Sequence, residues 1–220
     1  MDLSGAVSKI SFGIFLFVAV ILNVSSANEK NSESQFFISN QKLDIKTKTF
    51  YPTNKNSQVV EFFFYGCGHC KNFKPYIDNW TEKRADKVSI IKVPAILDES
   101  WTHMARAFYV AHQLGIEKDF SNKMFKAIHE NDQKIYIKEQ IQEFMLKEFQ
   151  IDAKSFEKAW NSLRVRANMK LAEKMNQYYS IDATPSIVVI NKDKKLTHKL
   201  SPRITGSPLN IIVNIELLIR

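Results

Sequence analysis

The sequence predicts an α/β fold: a βαβ unit, a long helical block, then a β-hairpin and a closing helix. Three observations lead there. Val59–Tyr65 is an almost unbroken apolar and aromatic run, as in a strand buried on both faces, and a helical segment and a second apolar run, Val88–Val93, follow it. From Asp98 to about Tyr179 the apolar residues recur at helical spacing instead. Strand character returns at Ser186–Ile190, followed by a polar turn and a partner strand over Lys195–Leu200.

Residues 1–27 precede the fold. Lys9 is followed by an apolar run from Ile10 to Leu22, then by Asn23-Val24-Ser25-Ser26-Ala27, with small residues where a signal peptidase would cut. The run is shorter than the roughly 20 residues a membrane span needs, so a cleaved signal peptide is expected. An uncleaved anchor is the alternative, because Asp2 offsets Lys9. Residues 28–56 read as a polar leader, 28–35, followed by a mixed stretch with room for one short edge strand.

Residues 57–97 are expected to form the first half of the α/β domain. Gly66 closes the first strand, Cys67 opens a helix running to about Arg84 with a kink at Pro75, and Pro94 closes the second strand. A strand, a helix and a strand in so short a span make a parallel unit. Residues 98–179 are expected to be a helical insert of about four helices, the last returning to the α/β domain. Trp101, Met104, Ala105 and Phe108 share one face, as do Ile137, Ile141, Phe144 and Met145. Asp98 and Asp152 are candidate N-caps, and Gly115 punctuates the block. Residues 180–220 complete the domain, with Ser207-Pro208 as cap and first residue of a helix reaching Arg220.

Composition narrows the function. The chain has 31 Lys and Arg against 23 Asp and Glu, a formal charge of +8. No nucleic-acid motif accompanies that charge, so it reads as a solvated basic surface. The two cysteines sit three positions apart in Cys67-Gly68-His69-Cys70. Export implies an oxidising compartment, but a disulfide closing so short a loop gains little as a staple. A zinc site would want a second cysteine pair or paired histidines; His103, His112, His129 and His198 are scattered. No metal and no cofactor are expected.

Redox chemistry suits the pair better. At a helix start, unpaired N–H groups and the helix dipole favour an anion, which lowers the pKa of Cys67. His69 adds a donor that can be cationic, and Lys71 adds positive field. Cys70, one turn later, can close a disulfide with Cys67 and resolve a mixed one. Glu61, six residues before Cys67 in an apolar strand, should be buried with a raised pKa; proton relay to Cys70 is its candidate role, and a strand-end residue reaching water the plain alternative. Thr184-Pro185, ahead of a strand, is a place where a cis bond or an ordinary loop proline fits equally.

These features together resemble the DsbA family of periplasmic thiol:disulfide oxidoreductases, in the thioredoxin superfamily. The likeness rests on Phe62-Phe63-Phe64-Tyr65-Gly66-Cys67-Gly68-His69-Cys70, on Ala159-Trp160-Asn161-Ser162, on Ala183-Thr184-Pro185-Ser186 and on the order of elements, from about residue 57 to 217. The resemblance implies a thioredoxin-like fold with an inserted all-helical domain. It implies that Cys67 is the exposed nucleophile, Cys70 the buried resolving cysteine, His69 the residue that stabilises the thiolate, and Glu61 the acid beneath the site. It also implies a cis Pro185 with Thr184 beside it, pairing with an extended substrate peptide. The implied substrates are reduced or misoxidised exported proteins, and the implied re-oxidant is a DsbB-type, quinone-linked membrane partner. The implied location is the periplasm, and a monomer is expected. Two residues depart from the family pattern: Gly68 stands where members carry proline, and Thr184 where they carry valine. Both keep isomerase and reductase activity open beside oxidation, with a non-catalytic peptide-binding module as the remaining alternative.

Overall fold

A computed structural model describes residues 41–42 and 50–220. The expected signal peptide and the polar leader lie outside the described residues.

The described strands form one five-stranded sheet: β1 (Gln41–Lys42), β2 (Ser57–Phe63), β3 (Val88–Pro94), β4 (Ser186–Asn191) and β5 (Leu196–Leu200), in the order β1-β5-β4-β2-β3. Strand β2 lies near the middle. It runs parallel to β3, which the crossover helix α1 (Gly68–Arg84) requires, and antiparallel to β4. The β4–β5 hairpin turns at Asn191, whose side chain accepts from the amide of Lys194 (3.1 Å). Every residue of β2 and β4 is buried, as the continuous apolar runs lead one to expect. The expected edge strand is β1, which pairs with β5.

Strand β2 begins two residues earlier than expected and stops at Phe63, so Phe64 and Tyr65 fall in the following turn. The reason is a competing local bond: the amide of Cys67 donates to the Phe64 carbonyl (3.1 Å), folding the chain towards the helix before the apolar run is finished. Helix α1 continues through Pro75.

The block between β3 and β4 begins with a 3₁₀ turn, Glu99–Trp101, capped by Asp98. Five helices follow, not about four: α2 (Thr102–Gln113), α3 (Glu117–His129), α4 (Lys138–Phe149), α5 (Ala153–Trp160) and α6 (Leu163–Tyr178). The extra break comes from Asn161 and Ser162. The Ser162 hydroxyl accepts from the Val165 amide (3.2 Å), so α6 starts anew directly after α5. Asp152 caps α5 as expected, and Gly115, at φ 73, ends α2 in the left-handed region that suits glycine. Met104, Ala105 and Phe108 face the core, as do Ile141, Phe144 and Met145, whereas Ile137 is exposed. After β5 come a short helix, α7 (Pro202–Thr205), and α8 (Pro208–Ile219), capped by Ser207.

Two apolar clusters lie against the sheet. One joins Val60 and Phe62 of β2 to α2–α6. The other joins Val59 to Phe73, Ile77 and Trp80 of α1 and to Ile211 and Ile215 of α8. The alternation of side chains along β2 sets this division as far as Glu61, which shares the face covered by α1 with Val59, while Phe63 at the end of the strand joins the first cluster. Among the described residues, no helix is long and apolar enough to cross a membrane.

Candidate active site

The turn from β2 into α1 brings the chemistry together. Cys67 is the N-cap of α1: its backbone is extended (φ −89°, ψ 113°) and its Sγ accepts from the backbone N–H of Cys70 at 3.3 Å. Sulfur thus occupies the place where a serine or aspartate oxygen usually satisfies the first free amides of a helix. Gly66 allows the close turn, because a Cβ there would lie 2.6 Å from the Phe64 ring. That ring stacks flat on Trp101, with centroids 3.9 Å apart.

Both cysteines are free thiols, and their surroundings differ. Cys67 is held at about 5, well below the usual thiol value. The largest cause is the Cys70 S–H donating to the Cys67 sulfur. Burial opposes ionisation, while the Thr184 side chain and the backbone N–H groups of Cys70 and His69 favour it. Cys70 is 1% exposed, and burial pushes its thiol strongly upward, with the neighbouring Cys67 adding in the same direction. One residue pair therefore contains a ready thiolate and a thiol that holds its proton.

His69 acts on Cys67 through its backbone N–H; its side chain is exposed on the wall of a cleft. Lys71 pairs with Glu130 (3.4 Å), which balances the charge it was expected to lend the site.

The Thr184–Pro185 peptide bond is cis. The Cys67 S–H donates to the Thr184 carbonyl at 3.3 Å, joining positions 117 residues apart. Only the thiol makes that bond, whereas the Thr184 side chain favours the thiolate. Beside them the cleft encloses about 730 Å³, lined by His69, Phe73, Leu97, Trp101, Thr184 and Arg203 among others.

Beneath the turn, Glu61 is 4% exposed and burial raises its carboxyl pKa, an effect that Lys92 only partly offsets. Its register neighbour on β3 is Lys92, whose Nζ lies 3.9 Å from the carboxylate, and its neighbour on β4 is Ile187. Lys92 is closer to Asp78 of α1 (2.7 Å), which also pairs with Lys74. Sequence reasoning missed Lys92, Asp78 and Lys74. A signal existed for Lys92: like Glu61, it is a charge inside an apolar strand.

The remaining histidines have separate local roles. His103 stacks on Trp160, His112 pairs with Glu117 (2.5 Å), His129 hydrogen-bonds the Tyr65 carbonyl (2.7 Å), and His198 lies on β5. Among the described residues, no group of three or more potential ligands could hold a metal ion.

Comparison with known proteins agrees with this geometry. Residues 52–203 match the thioredoxin family model. The chain is 30% identical over 184 residues to the thiol:disulfide interchange protein DsbA of Azotobacter vinelandii, covering 84% of this chain and 86% of that protein. It is 33% identical over 151 residues to the Burkholderia cepacia protein of the same name, covering 68% of each. Among solved structures, Pseudomonas aeruginosa DsbA superposes with a TM-score of 0.73 at 26% identity, over 82% of this chain and 90% of that one.

Proposed function

Because the chain belongs to the DsbA family of thioredoxin-fold thiol:disulfide oxidoreductases, we propose that it introduces disulfide bonds into exported proteins, with Cys67 and Cys70 as its redox pair. The observation that carries this reading is the split between the two thiols. A stabilised Cys67 thiolate favours the dithiol form, so the disulfide gains more on being reduced and is the stronger oxidant.

The reaction follows as two exchanges. A client thiolate attacks Cys67 Sγ in the oxidised enzyme. The Cys67–Cys70 bond breaks, a client–Cys67 mixed disulfide forms, and Cys70 leaves as a thiolate that takes up one proton. A second client thiolate then attacks the client sulfur of the mixed disulfide. The client disulfide forms, Cys67 leaves as a thiolate, and two electrons have passed from client to enzyme. Glu61, on the α1-facing side of β2, supplies the proton for Cys70. Thr184 and Pro185 pair with the extended client beside Cys67, and His69 lines its path. Residues 98–179 serve as the helical insert, which reaches the cleft with Asp98 and Trp101.

The clients are reduced or misoxidised exported proteins, and a DsbB-type membrane partner restores the disulfide. The signal peptide in residues 1–27 delivers the protein to the periplasm. A second reading, isomerase or reductase, is favoured by Gly68 and Thr184.

Equilibration with glutathione redox buffers separates them. An oxidase should have a potential more oxidising than the roughly −180 mV of protein disulfide isomerase. A value near the roughly −270 mV of thioredoxin would refute the oxidase reading and establish the reducing one.

A further inference from the structure

Four charged side chains lie in a row under the cysteine turn: Glu61 on β2, Lys92 on β3, and Asp78 and Lys74 on α1. The spacing along the row is uneven. Lys92 Nζ is 2.7 Å from Asp78 Oδ1 but 3.9 Å from Glu61 Oε2. Glu61 Oε2 is buried and has no hydrogen-bond partner. Asp78 Oδ2 is in turn held by Lys74, one helical turn earlier. Lys92 is therefore drawn to the outer carboxylate and kept off the inner one.

We propose that Asp78 is a positioning residue for the exchange reaction: by holding Lys92 it leaves the Glu61 carboxyl only a long contact to that ammonium and free to carry the proton that Cys70 gains and loses. The proposal rests on the reading of Glu61 as the proton carrier. If Lys92 closed fully on Glu61, a buried ion pair would lock that carboxyl in its ionised form, and it would have no proton to give. With Lys92 engaged by Asp78, Glu61 keeps the raised pKa that burial imposes, and the Asp78 charge reinforces it. The same arrangement leaves Asp78 firmly ionised: burial resists, but Lys92 and Lys74 overcome it.

The groups facing Glu61 are few. Lys92 approaches from β3, Lys74 and Asp78 from α1, the Tyr65 hydroxyl group feels its charge from the turn after β2, and β4 presents the uncharged Ile187. Lys92 also lines a cavity of about 480 Å³ with Thr81, His112 and Glu117.

The test follows the Glu61 carboxyl by carbon NMR across pH in the reduced protein, together with the pH profile of turnover on a reduced test protein. Asp78→Asn should move the Glu61 midpoint down by about one pH unit or more, a tenfold change in its proton affinity, and shift the turnover profile the same way. Asp78→Glu, which keeps the charge, should restore both. Because Asp78 is partly exposed, both variants should fold; matched circular dichroism and melting curves establish that. An Asp78→Asn protein with Glu61 midpoint and turnover profile unchanged would overturn the positioning role. Glu61→Gln distinguishes the underlying reading: if it exchanges disulfides at the wild-type rate at every pH, Glu61 carries no proton, and the role of Asp78 falls with it. If Glu61→Gln is slow while Asp78→Asn is normal, only the positioning role fails.

Discussion

The mouth and the floor of the site lie one helical turn apart and differ in nearly every physical respect. At the mouth, Cys67 sits at a helix N-terminus, half-buried, with amides, a neighbouring thiol and a threonine all directed at its sulfur. At the floor, Cys70 is enclosed and Glu61 shares the α1-facing side with Lys92 and Asp78. The contrast shows that spacing brings the two cysteines together while surroundings make them unequal. Donors win over burial at position 67, and burial wins at position 70.

Three substitutions and one titration would break or sharpen that comparison. The largest effect should come from exchanging each sulfur for oxygen. Cys67→Ser should lower disulfide formation in a reduced test protein by more than about a thousandfold, because serine is not ionised at neutral pH and forms no disulfide. Cys70→Ser, offered a client that already carries a disulfide, should instead accumulate a client–Cys67 mixed disulfide, visible on a gel without reductant: the Cys67 thiolate bonds one client sulfur, the other client sulfur leaves as a thiolate, and no second enzyme sulfur remains to release the adduct. Turnover by the first variant, or no trapped adduct with the second, would reverse the two roles.

The second effect is a pH dependence. Cys67 is an acidic group whose folded value, about 5, lies below the 9.0 of an ordinary thiol. Its thiolate therefore contributes stability that is complete above the ordinary value and is lost as pH falls through about 5. Reduced wild type should gain stability over reduced Cys67→Ser as pH rises across that window, with thiolate absorbance showing its midpoint near 5. A midpoint close to the ordinary thiol value would mean that the mouth does not discriminate between its two sulfurs.

The smallest effect should come from Gly68→Pro. A Cβ at Gly68 meets nothing within 4 Å, proline suits the first helical position, and the amide it removes is not among those that lower Cys67. The variant should gain about 0.4–1 kcal/mol through a less flexible unfolded chain. Its thiolate midpoint should move by less than about half a unit. A larger move would transfer control of the mouth from Cys70 and Thr184 to residue 68.

Much of the molecule was legible in the sequence because its signals are local. The continuous apolar runs over Val59–Phe63 and Ile187–Ile190 mark central strands whatever surrounds them, and Asp152, Ser207 and Gly115 act on helix ends within four residues of themselves. The Cys-Gly-His-Cys spacing states its chemistry in four letters. What failed was also local but finely balanced. The end of β2 depended on one amide preferring the Phe64 carbonyl, and the count of helices depended on Ser162 starting a new one.

By itself the sequence determined the order of elements, the burial of Glu61 in β2 and the placing of Cys67 one turn before Cys70, since periodicity and spacing act through neighbouring residues. Only the tertiary structure decided which groups surround each of them. Thr184 reaches Cys67 from 117 residues away. Lys92 of β3 leans to Asp78 of α1 rather than to Glu61 of β2. The His69 amide acts on Cys67 while its side chain lines the cleft. Electrostatic and hydrogen-bond effects on a sulfur or a carboxyl fall off within a few ångströms, and distances of that size between remote residues are set by packing.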